Sequence, residues 1–394
     1  MKMRTEVLRE VRKMRFLEVY DRYVLGWLSL VEAAETLGLS ERQFRRVRGR
    51  FASEGEAGLL DRRLGRVSPH RIAADEVDRI VALYRDRYAG WTAKHFHERA
   101  SEKHGLAASY GWTKSVLTAA GLRRSAVKRS AHRKKRPRRP MVGMMLHQDG
   151  SRHLWLPALE RQIDLIVTMD DATSEIYSAF FVDEEGTASS FRALHEVVDR
   201  HGVFCTFYTD RGSHYFVTPA AGGKVSKTNL TQVGRALAEL GTRHLAAYSP
   251  EARGRSERMF GTLQGRLPQE LADDGITTMA DADRYLREVY IPAHNRRFMV
   301  EAGEAGSAFV PWTGLNLAEI LCLQEDRIVA KDNTVTFGKL RLQIEPSPLR
   351  AHFVKATVEV RQYADHTIGL FYGPRCIGRY AADGRSLAVQ TKAA

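Results

Sequence analysis

Three acidic residues in the middle of the chain stand where a folded sheet could bring their side chains together. Asp149 follows one strand-like stretch, Asp210 ends another, and Glu257 lies near the start of a predicted helix. Because the binding sites of α/β domains form at the carboxyl ends of strands, we expect the three carboxylates to converge. Carboxylates in close proximity repel one another until a proton or a cation neutralises part of their charge.

A trio of carboxylate ligands suits Mg²⁺ or Mn²⁺, which bind hard oxygen atoms. Two such ions about 3.5–4 Å apart would activate an attacking oxygen and stabilise a leaving oxygen during in-line displacement at phosphorus. A nucleophilic side chain is then not required. The sequence therefore predicts Asp149, Asp210 and Glu257 as catalytic residues and as the ligands of two metal ions.

The first position of the trio has other candidates. Asp164, Asp170 and Asp171 lie near Asp149 in sequence, but the run 170–173 has the composition of a hairpin turn, which predicts solvated carboxylates. Asp149 is preferred for this reason. Each member also has a purely structural explanation, since an aspartate before glycine is commonly a turn residue and a glutamate in the first helical turn favours the helix dipole.

The stretch from Met141 to about Asn295 alternates predicted strands and helices. The strand candidates are Gly143–His147, Leu154–Leu156, Asp164–Thr168, Glu175–Val182, Val203–Thr209 and Arg243–Ala247, and the helix candidates are Ala188–His201, Thr231–Leu240 and about Arg255–Leu267. This alternation predicts an α/β domain with a mixed sheet. The tail from about Arg327 to Tyr380 has short strands separated by glycine and proline, which predicts a small β-barrel.

The stretch from about Val11 to Arg63 reads as short helices with the pattern of a helix-turn-helix. Gly38 ends one predicted helix, and Ser40 with Gln43 forms a capping box that begins the next. The second helix of such a motif enters the DNA major groove. An ordinary helical hairpin with a solvated basic face is the alternative. The predicted DNA contacts of this helix are Arg42, Gln43, Arg45, Arg46 and Arg48.

A second helical block and a basic segment follow. The block runs from about Ala74 to Gly121 and contains a short recognition-type helix that carries Lys114. More than half of the segment Arg123–Arg139 is basic, and no acidic residue interrupts it, so it predicts a linker that binds phosphate. A solvated linker without a partner is the alternative. Its predicted DNA contacts are Arg133, Lys134, Lys135 and Arg136.

Composition and charge restrict the class of protein. A formal net charge of +14 favours a polyanionic partner. No apolar run reaches the roughly 18 residues of a membrane span, and the N-terminus lacks the apolar region of a signal peptide, so we expect a cytoplasmic protein without membrane contact. Three widely separated cysteines argue against a disulfide framework and against a cysteine-built zinc site.

Two segments of the chain match the pattern of a known family. Thr-Asp-Arg-Gly-Ser-His-Tyr at 209–215 and Tyr-Ser-Pro-Glu-Ala-Arg-Gly-Arg-Ser-Glu-Arg at 248–258 resemble the second and third catalytic motifs of DDE transposases. These belong to the retroviral-integrase superfamily, and the resemblance is closest to bacterial insertion-sequence transposases of the ISNCY type. It places the family's second aspartate at Asp210, its glutamate at Glu257 and, with a weaker motif, its first aspartate at Asp149.

The resemblance extends over essentially the whole chain and implies its architecture. It implies an RNase H-like core with a five-stranded mixed sheet, DNA-reading domains before the core and a β-barrel behind it. More residues separate Asp210 from Glu257 in the sequence than is usual in the family, and 218–228 looks like a loop insertion that accounts for the difference. The predicted division is 1–66 helix-turn-helix, 67–122 second helical DNA-binding domain, 123–140 basic linker, 141–300 catalytic core, 301–326 connector and 327–394 β-barrel.

The implied function is transposition. The enzyme would bind double-stranded DNA at the terminal repeats of an insertion sequence, cleave it and join the freed ends to target DNA. Joining two ends implies a homo-oligomer, and the DNA partner implies association with the bacterial nucleoid. Arg253, Arg255 and Arg258 either contact the DNA backbone or form a solvated basic helix face. The alternatives are an RNase H-like nuclease or resolvase without strand transfer, and a catalytically idle DNA-binding regulator.

Overall fold

The structure is a computed structural model that describes residues 2–60, 72–123, 136–220, 223–248, 253–314, 316–346 and 350–387. The chain divides into two units, Met1–Ala82 and Leu83–Ala394. The finer division into six segments stays a prediction. In the described part of the chain, no helix combines the length and the apolar character that a membrane span needs.

The first unit contains the predicted helix-turn-helix. Its helices are α1 (Lys2–Val24), α2 (Leu30–Thr36) and α3 (Glu41–Glu54). Gly38 takes a positive φ of 65° between α2 and α3, as a residue that ends a helix must. The Ser40–Gln43 capping box is confirmed, since each residue binds the other's backbone N–H. Phe16 and Phe44 are buried in the core of this unit.

Helix α4 (Ala74–Arg87) crosses the boundary between the units, and α5 (Ala93–His104) and α6 (Tyr110–Ala119) follow in the second unit. Thr92 caps the start of α5, and Gly105 ends it in the left-handed conformation. Ser109 caps α6 in the same way. Helix α6 is the short helix that the sequence predicts around Lys114, whereas the sequence predicts no separate helix at the position of α5.

The core of the second unit is a five-stranded mixed sheet. Its strands are β1 (Leu146–His153), β2 (Ile163–Asp170), β3 (Ile176–Val182), β4 (Thr206–Thr209) and β5 (Arg243–Ala246). The strand order is β3-β2-β1-β4-β5, with β1 antiparallel to β2 and parallel to β4. This arrangement confirms the predicted RNase H-like core.

Two strand predictions are corrected. The strand expected at Gly143–His147 runs from Leu146 to His153, so Asp149 lies inside it and does not follow it. The strand expected at Leu154–Leu156 does not form, because Trp155 and Leu156 turn into the core and Pro157, which has no backbone N–H to donate, begins a 3₁₀ turn.

Helices cover both faces of the sheet. They are α7 (Thr187–His201), α8 (Gln232–Glu239), α9 (Gly254–Gln264), α10 (Leu267–Asp273), α11 (Met279–Tyr285) and α12 (Ile291–Phe298), with a π-helical turn between the last two. Residues of α7 and α8 pack around Leu146 on one face, and residues of α9 and α10 pack around Val167 on the other. Each face therefore has its own apolar core.

The C-terminal part consists of short strands, as predicted, and their pairing is antiparallel. After α13 (Leu317–Ile320) come β6 (Leu323–Ile328), β7 (Thr334–Phe337), β8 (Leu340–Gln343), β9 (Thr357–Gln362), β10 (Ile368–Tyr372), β11 (Arg375–Tyr380) and β12 (Ser386–Leu387). The hydrogen-bonded order is β12-β11-β10-β9-β6, with β7 and β8 as a separate pair. Among the described strands this order ends at β12 and β6, so closure into a barrel is not confirmed.

Helix α5 is joined to α10 by a network of charges. Asp273 accepts from Arg99 at 3.0 Å and from Lys103 at 2.8 Å, and its side chain is only 7% exposed. The neighbouring His95, which is buried, lies 2.8 Å from Glu270 of α10. These contacts fasten α5 to α10 within the second unit.

Replacing Asp273 by Asn should lower the free energy of unfolding by about 1–3 kcal/mol, because Arg99 and Lys103 lose their buried carboxylate and keep only the more exposed Asp274. As a control, Asp183→Asn breaks an ion pair with Arg161 whose side chains are 72% and 52% exposed, and it should cost less than about 1 kcal/mol. Chemical denaturation of both variants measures the difference. Equal losses would show that the contact between Asp273, Arg99 and Lys103 is as weak as a surface pair.

Candidate active site

The pairing of β1 with β4 brings two of the predicted carboxylates side by side. Leu146 is level with Phe207, and His147 is level with Tyr208, in a parallel ladder. The same register continued by two residues places Asp149 level with Asp210, at the carboxyl end of β4. Sheet pairing therefore determines the proximity of the two side chains, which come from positions far apart in the sequence.

Asp149 is almost completely buried, with 8% of its surface exposed. Its Oδ1 accepts from the Arg253 guanidinium. Burial raises the pKa of Asp149 to about 6 against the lowering effect of Arg253, and the charges of Glu185 and Asp210 add to the increase. A buried carboxylate beside two others has a strong need for a positive partner.

Asp210 has a more open environment. Its Oδ1 accepts from the backbone N–H of Gly212 at 2.8 Å, which folds the chain into a turn directly after β4. Its Oδ2 lies 3.4 Å from Nη1 of Arg253. The same guanidinium thus contacts both aspartates, and Arg253 occupies the place of a shared cation between them.

Glu257 lies in the first turn of α9, as predicted, and its side chain is exposed. The buried residues Met259 and Phe260 hold the helix on the sheet, and Gln264 donates to Ser151 of β1 at 3.0 Å. Helix α9 therefore runs beside the strand that carries Asp149. Ser249 to Ala252, part of the third sequence motif, fall outside the described residues.

The donor set fits a divalent cation, but the side chains are not gathered around one point. Among the described residues, no group of three or more His, Cys, Asp or Glu side chains is arranged as a metal site. However, two carboxylate oxygens from Asp149 and Asp210 already converge on one cationic group. Oxygen atoms that share a guanidinium can also share Mg²⁺ or Mn²⁺, which require this kind of ligand.

Glu185 is a fourth carboxylate at this place, and the sequence analysis missed it. Its Oε1 accepts from the hydroxyl of the buried Tyr215 at 3.1 Å and lies 3.6 Å from Nε2 of His214. A Cβ at Gly150 would collide with its Oε2. Glu185 belongs to no recognisable motif, so only the fold reveals its position beside Asp149.

Asp170 and Asp171 form a hairpin turn, but the prediction that they are solvated was wrong. Both side chains are 0% exposed. Asp170 accepts from the backbone N–H groups of Gly143, Ala172 and Thr173 at 2.8–2.9 Å, so it shapes the turn. Asp170 ends β2 at the β2–β3 turn, and its carboxylate is occupied by backbone N–H groups. Asp149 therefore remains the candidate for the first carboxylate.

Asp171 binds a different set of partners. Its carboxylate accepts from Arg136, from Arg255 and, at 2.6 Å, from His147. The backbone N–H of Arg139 donates to its other oxygen at 2.7 Å. Burial alone would raise the pKa of Asp171, but His147, the Arg139 backbone and Arg136 hold it well below its usual range. Arg136 and Arg255, both predicted DNA contacts, are thus anchored to one buried carboxylate.

The other predicted DNA contacts lie in several environments. Arg42, Arg46, Lys114 and Arg258 are exposed. The predicted contacts that already have partners are Arg45 with Glu41 at 2.9 Å, Arg48 with the Tyr23 hydroxyl at 2.5 Å, and Gln43 with the Ser40 backbone. Arg133, Lys134 and Lys135 lie outside the described residues. Arg42 and Arg46 are therefore the residues of α3 that are best placed to reach a ligand.

Comparison with known proteins agrees with this architecture. The family described as "Winged helix-turn helix" matches residues 18–78. The chain is 34% identical over 361 residues to the protein named "Putative transposase y4bF" of Sinorhizobium fredii, which covers 90% of this chain and 77% of the relative. It is 25% identical over 305 residues to the "Transposase for insertion sequence IS1202" of Streptococcus pneumoniae, over 68% of this chain and 64% of the relative.

Solved structures give weaker matches. A chain of the simian T-cell lymphotropic virus intasome in complex with a PP2A regulatory subunit has a TM-score of 0.32 and 15% identity, over 79% of this chain and 100% of its own length. The HTLV-2 integrase catalytic core in complex with magnesium, in its dimeric form, has a TM-score of 0.29 and 16% identity, over 42% of this chain and 93% of its own length. Similarity at this level supports no conclusion about this chain.

A helix-turn-helix unit, followed along the chain by an α/β core with Asp149 and Asp210 level on neighbouring strands, is typical of proteins that act on nucleic acid. The identity and coverage of the Sinorhizobium relative specify the family: this chain belongs to the transposases. The family that its sequence motifs indicated is thereby confirmed.

The raised pKa of Asp149 predicts a dependence of stability on pH in metal-free solution. A carboxyl group with a pKa of about 6 in the folded state and about 4 in the unfolded state binds protons better when folded, so its contribution to stability is lost as the pH rises from 4 to 6. Relative to wild type, Asp149→Asn should gain about 1–3 kcal/mol in free energy of unfolding at pH 8 and almost nothing at pH 4. Denaturation in EDTA at both pH values tests this, and a difference independent of pH would contradict it.

Proposed function

We propose that this transposase is a DDE enzyme in which Asp149, Asp210 and Glu257 bind Mg²⁺ or Mn²⁺ and promote DNA cleavage and strand transfer. The observation that carries the proposal is the shared cation of Asp149 and Asp210, two carboxylates that the β1–β4 register places level with each other. Glu257 enters from α9, which contacts the same strand.

Two divalent ions, when bound, would supply the chemistry of in-line displacement at phosphorus: activation of the attacking oxygen and stabilisation of the leaving oxygen. The residues of the chain prepare the site for them. Burial makes Asp149 a carboxylate in need of a positive partner, and the turn at Gly212 fixes one oxygen of Asp210 while its other oxygen faces Arg253. No side chain of the protein has to form a covalent bond with DNA.

Arg253 would have two partners in turn. Without a divalent ion it neutralises Asp149 and Asp210. Once these carboxylates hold a metal ion, the guanidinium is available for the DNA backbone, whose phosphates are common partners of arginine. Arg258, exposed on the next turn of α9, is available for the same purpose.

DNA recognition belongs to the helical regions. We assign α3, with the exposed Arg42 and Arg46, to the major groove of the terminal repeats, and α6, with the exposed Lys114, to a second contact. The basic segment that ends at Arg139 supplies phosphate contacts beside the core. Because two DNA ends must be processed together, we expect the active form to be a homo-oligomer on DNA that also engages the target.

Substitution of the carboxylates tests the catalytic assignment. Asp149→Asn, Asp210→Asn and Glu257→Gln should each reduce Mg²⁺-dependent cleavage and joining of DNA that carries the element ends by at least about a hundredfold, since each removes a ligand worth several kcal/mol in the transition state. Binding to the same DNA should persist. The assay follows a labelled 3′-end through cleavage and strand-transfer products, with EDTA as the metal-free arm.

The matched control is Asp199→Asn, an exposed carboxylate in the last turn of α7, at the opposite end of this helix from Glu185. It should retain wild-type rates. Full cleavage and joining by any one of the three site variants would refute the assignment of that residue. Cleavage without joined product in the wild-type protein would favour a nuclease or resolvase.

The role of α3 has its own test. Arg42→Ala and Arg46→Ala should each weaken binding to terminal-repeat DNA and reduce the slope of log affinity against log salt by about 1 if the residue contacts a phosphate. A residue that contacts a base should instead change the preference between terminal-repeat and unrelated DNA. The control is Arg22→Ala on α1, an exposed arginine paired with Glu18. If neither variant differs from this control, α3 is not the reading helix.

A further inference from the structure

Three segments that are distant in sequence meet at the carboxylate of Asp171, directly after β2. They are the end of the basic segment, through Arg136 and the backbone of Arg139; strand β1, through His147; and the first turn of α9, through Arg255. The side chain is 0% exposed. Four donors on one buried carboxylate exceed what a turn aspartate needs, since Asp170 alone shapes the hairpin.

Two partners of Asp171 each precede a proposed catalytic residue by two positions in the sequence. His147 is two residues before Asp149 on β1, and Arg255 is two residues before Glu257 on α9. Residues two apart on a strand face the same side of the sheet. One carboxylate therefore contacts the element that carries the first proposed catalytic residue and the element that carries the third.

The same contacts fasten the basic segment. Arg255 Nη2 donates to the backbone carbonyl of Arg136 at 2.6 Å. Arg138 donates to the carbonyls of Asp171 and Ala172 at 3.0 and 3.1 Å and to Ser174 Oγ at 2.8 Å. Two guanidinium groups thus bind the Asp171 carboxylate, and a third binds the backbone carbonyl of the same residue. Positive charge therefore exceeds negative charge where the segment joins the core. Such an excess suits a DNA phosphate.

We propose that Asp171 is a positioning residue that fastens the basic segment and the first turn of α9 to the end of β2, so that the arginines that meet DNA and Glu257 keep a fixed place relative to Asp149. The proposal rests on the proposed function for its catalytic consequence. Its structural part, the fastening, does not depend on that function and can be tested without DNA or metal.

Hydrogen exchange of the full chain, free of metal and DNA, tests the fastening. Asp171→Asn should speed amide exchange at least about tenfold in 136–139 and in 253–258, because both segments lose their common anchor. The matched control is Asp170→Asn, which changes an equally buried neighbour. It should speed exchange around Gly143 and Ala172–Thr173 and leave the two other segments at wild-type rates.

Activity provides the second readout. With DNA and Mg²⁺, Asp171→Asn should lower the rate of cleavage by about 10–100-fold, the cost of a small misplacement of catalytic groups, while affinity for the DNA changes less than about threefold. Loss of affinity and rate together, with a general increase in exchange, would show that Asp171 only stabilises the fold. Absence of Mg²⁺-dependent cleavage by the wild-type protein would refute the proposed function. The fastening of the two segments would then be tested by hydrogen exchange alone.

If Asp171→Asn does not fold, Arg255→Met tests the same contact from its other side. It keeps the Asp171 bonds to Arg136 and His147 but removes the bond to the Arg136 carbonyl, so it should speed exchange in 136–139. Unchanged exchange in this segment in either variant, or the same pattern in Asp170→Asn, would overturn the proposal.

Discussion

The repulsion between two carboxylates on neighbouring strands is the constraint from which the site follows. Two like charges about 4 Å apart repel by about 4 kcal/mol at an effective dielectric constant of about 20. The β1–β4 register nevertheless places Asp149 and Asp210 level with each other, so the fold must provide a positive partner. Arg253 is that partner in the structure. Because Asp149 and Asp210 need a positive partner, a metal ion could take the place of the Arg253 guanidinium.

The buried charged side chains around Asp149 and around Asp171 form two groups that differ in their ratio of negative to positive charge. At Asp149, several carboxylates face one arginine, and the pKa of the buried acid rises. At Asp171, several cations face one carboxylate, and its pKa falls. An excess of negative charge, as around Asp149, favours metal ions, and an excess of positive charge, as around Asp171, favours phosphate. A phosphoryl-transfer enzyme must bring these two partners together. The two groups are connected through β1 and the first turn of α9.

The sequence predicted those parts of the fold that short-range patterns determine. The Ser40–Gln43 capping box, the helix end at Gly38 and the alternation of strands and helices all depend on residues within a few positions of one another. The burial of Asp171 does not. Its neighbours indicate a turn correctly, but whether a turn is solvated depends on what covers it, here Arg136 and Arg255, which lie 35 and 84 residues away in the chain.

The same reasoning explains why the candidate site was only partly predictable. Asp210 and Glu257 stand in local motifs, whereas Glu185 has none. Its place beside Gly150 depends on how the link between β3 and α7 is held by Asp164 of β2 and by the Tyr215 hydroxyl. Arg253 was expected to meet DNA because its charge was visible and its partners were not. An arginine that neutralises the site before metal binds and meets phosphate afterwards would satisfy both interpretations. Arg253 would then contact Asp149 and Asp210 while they lack a metal ion, and would contact phosphate once a metal ion has replaced it.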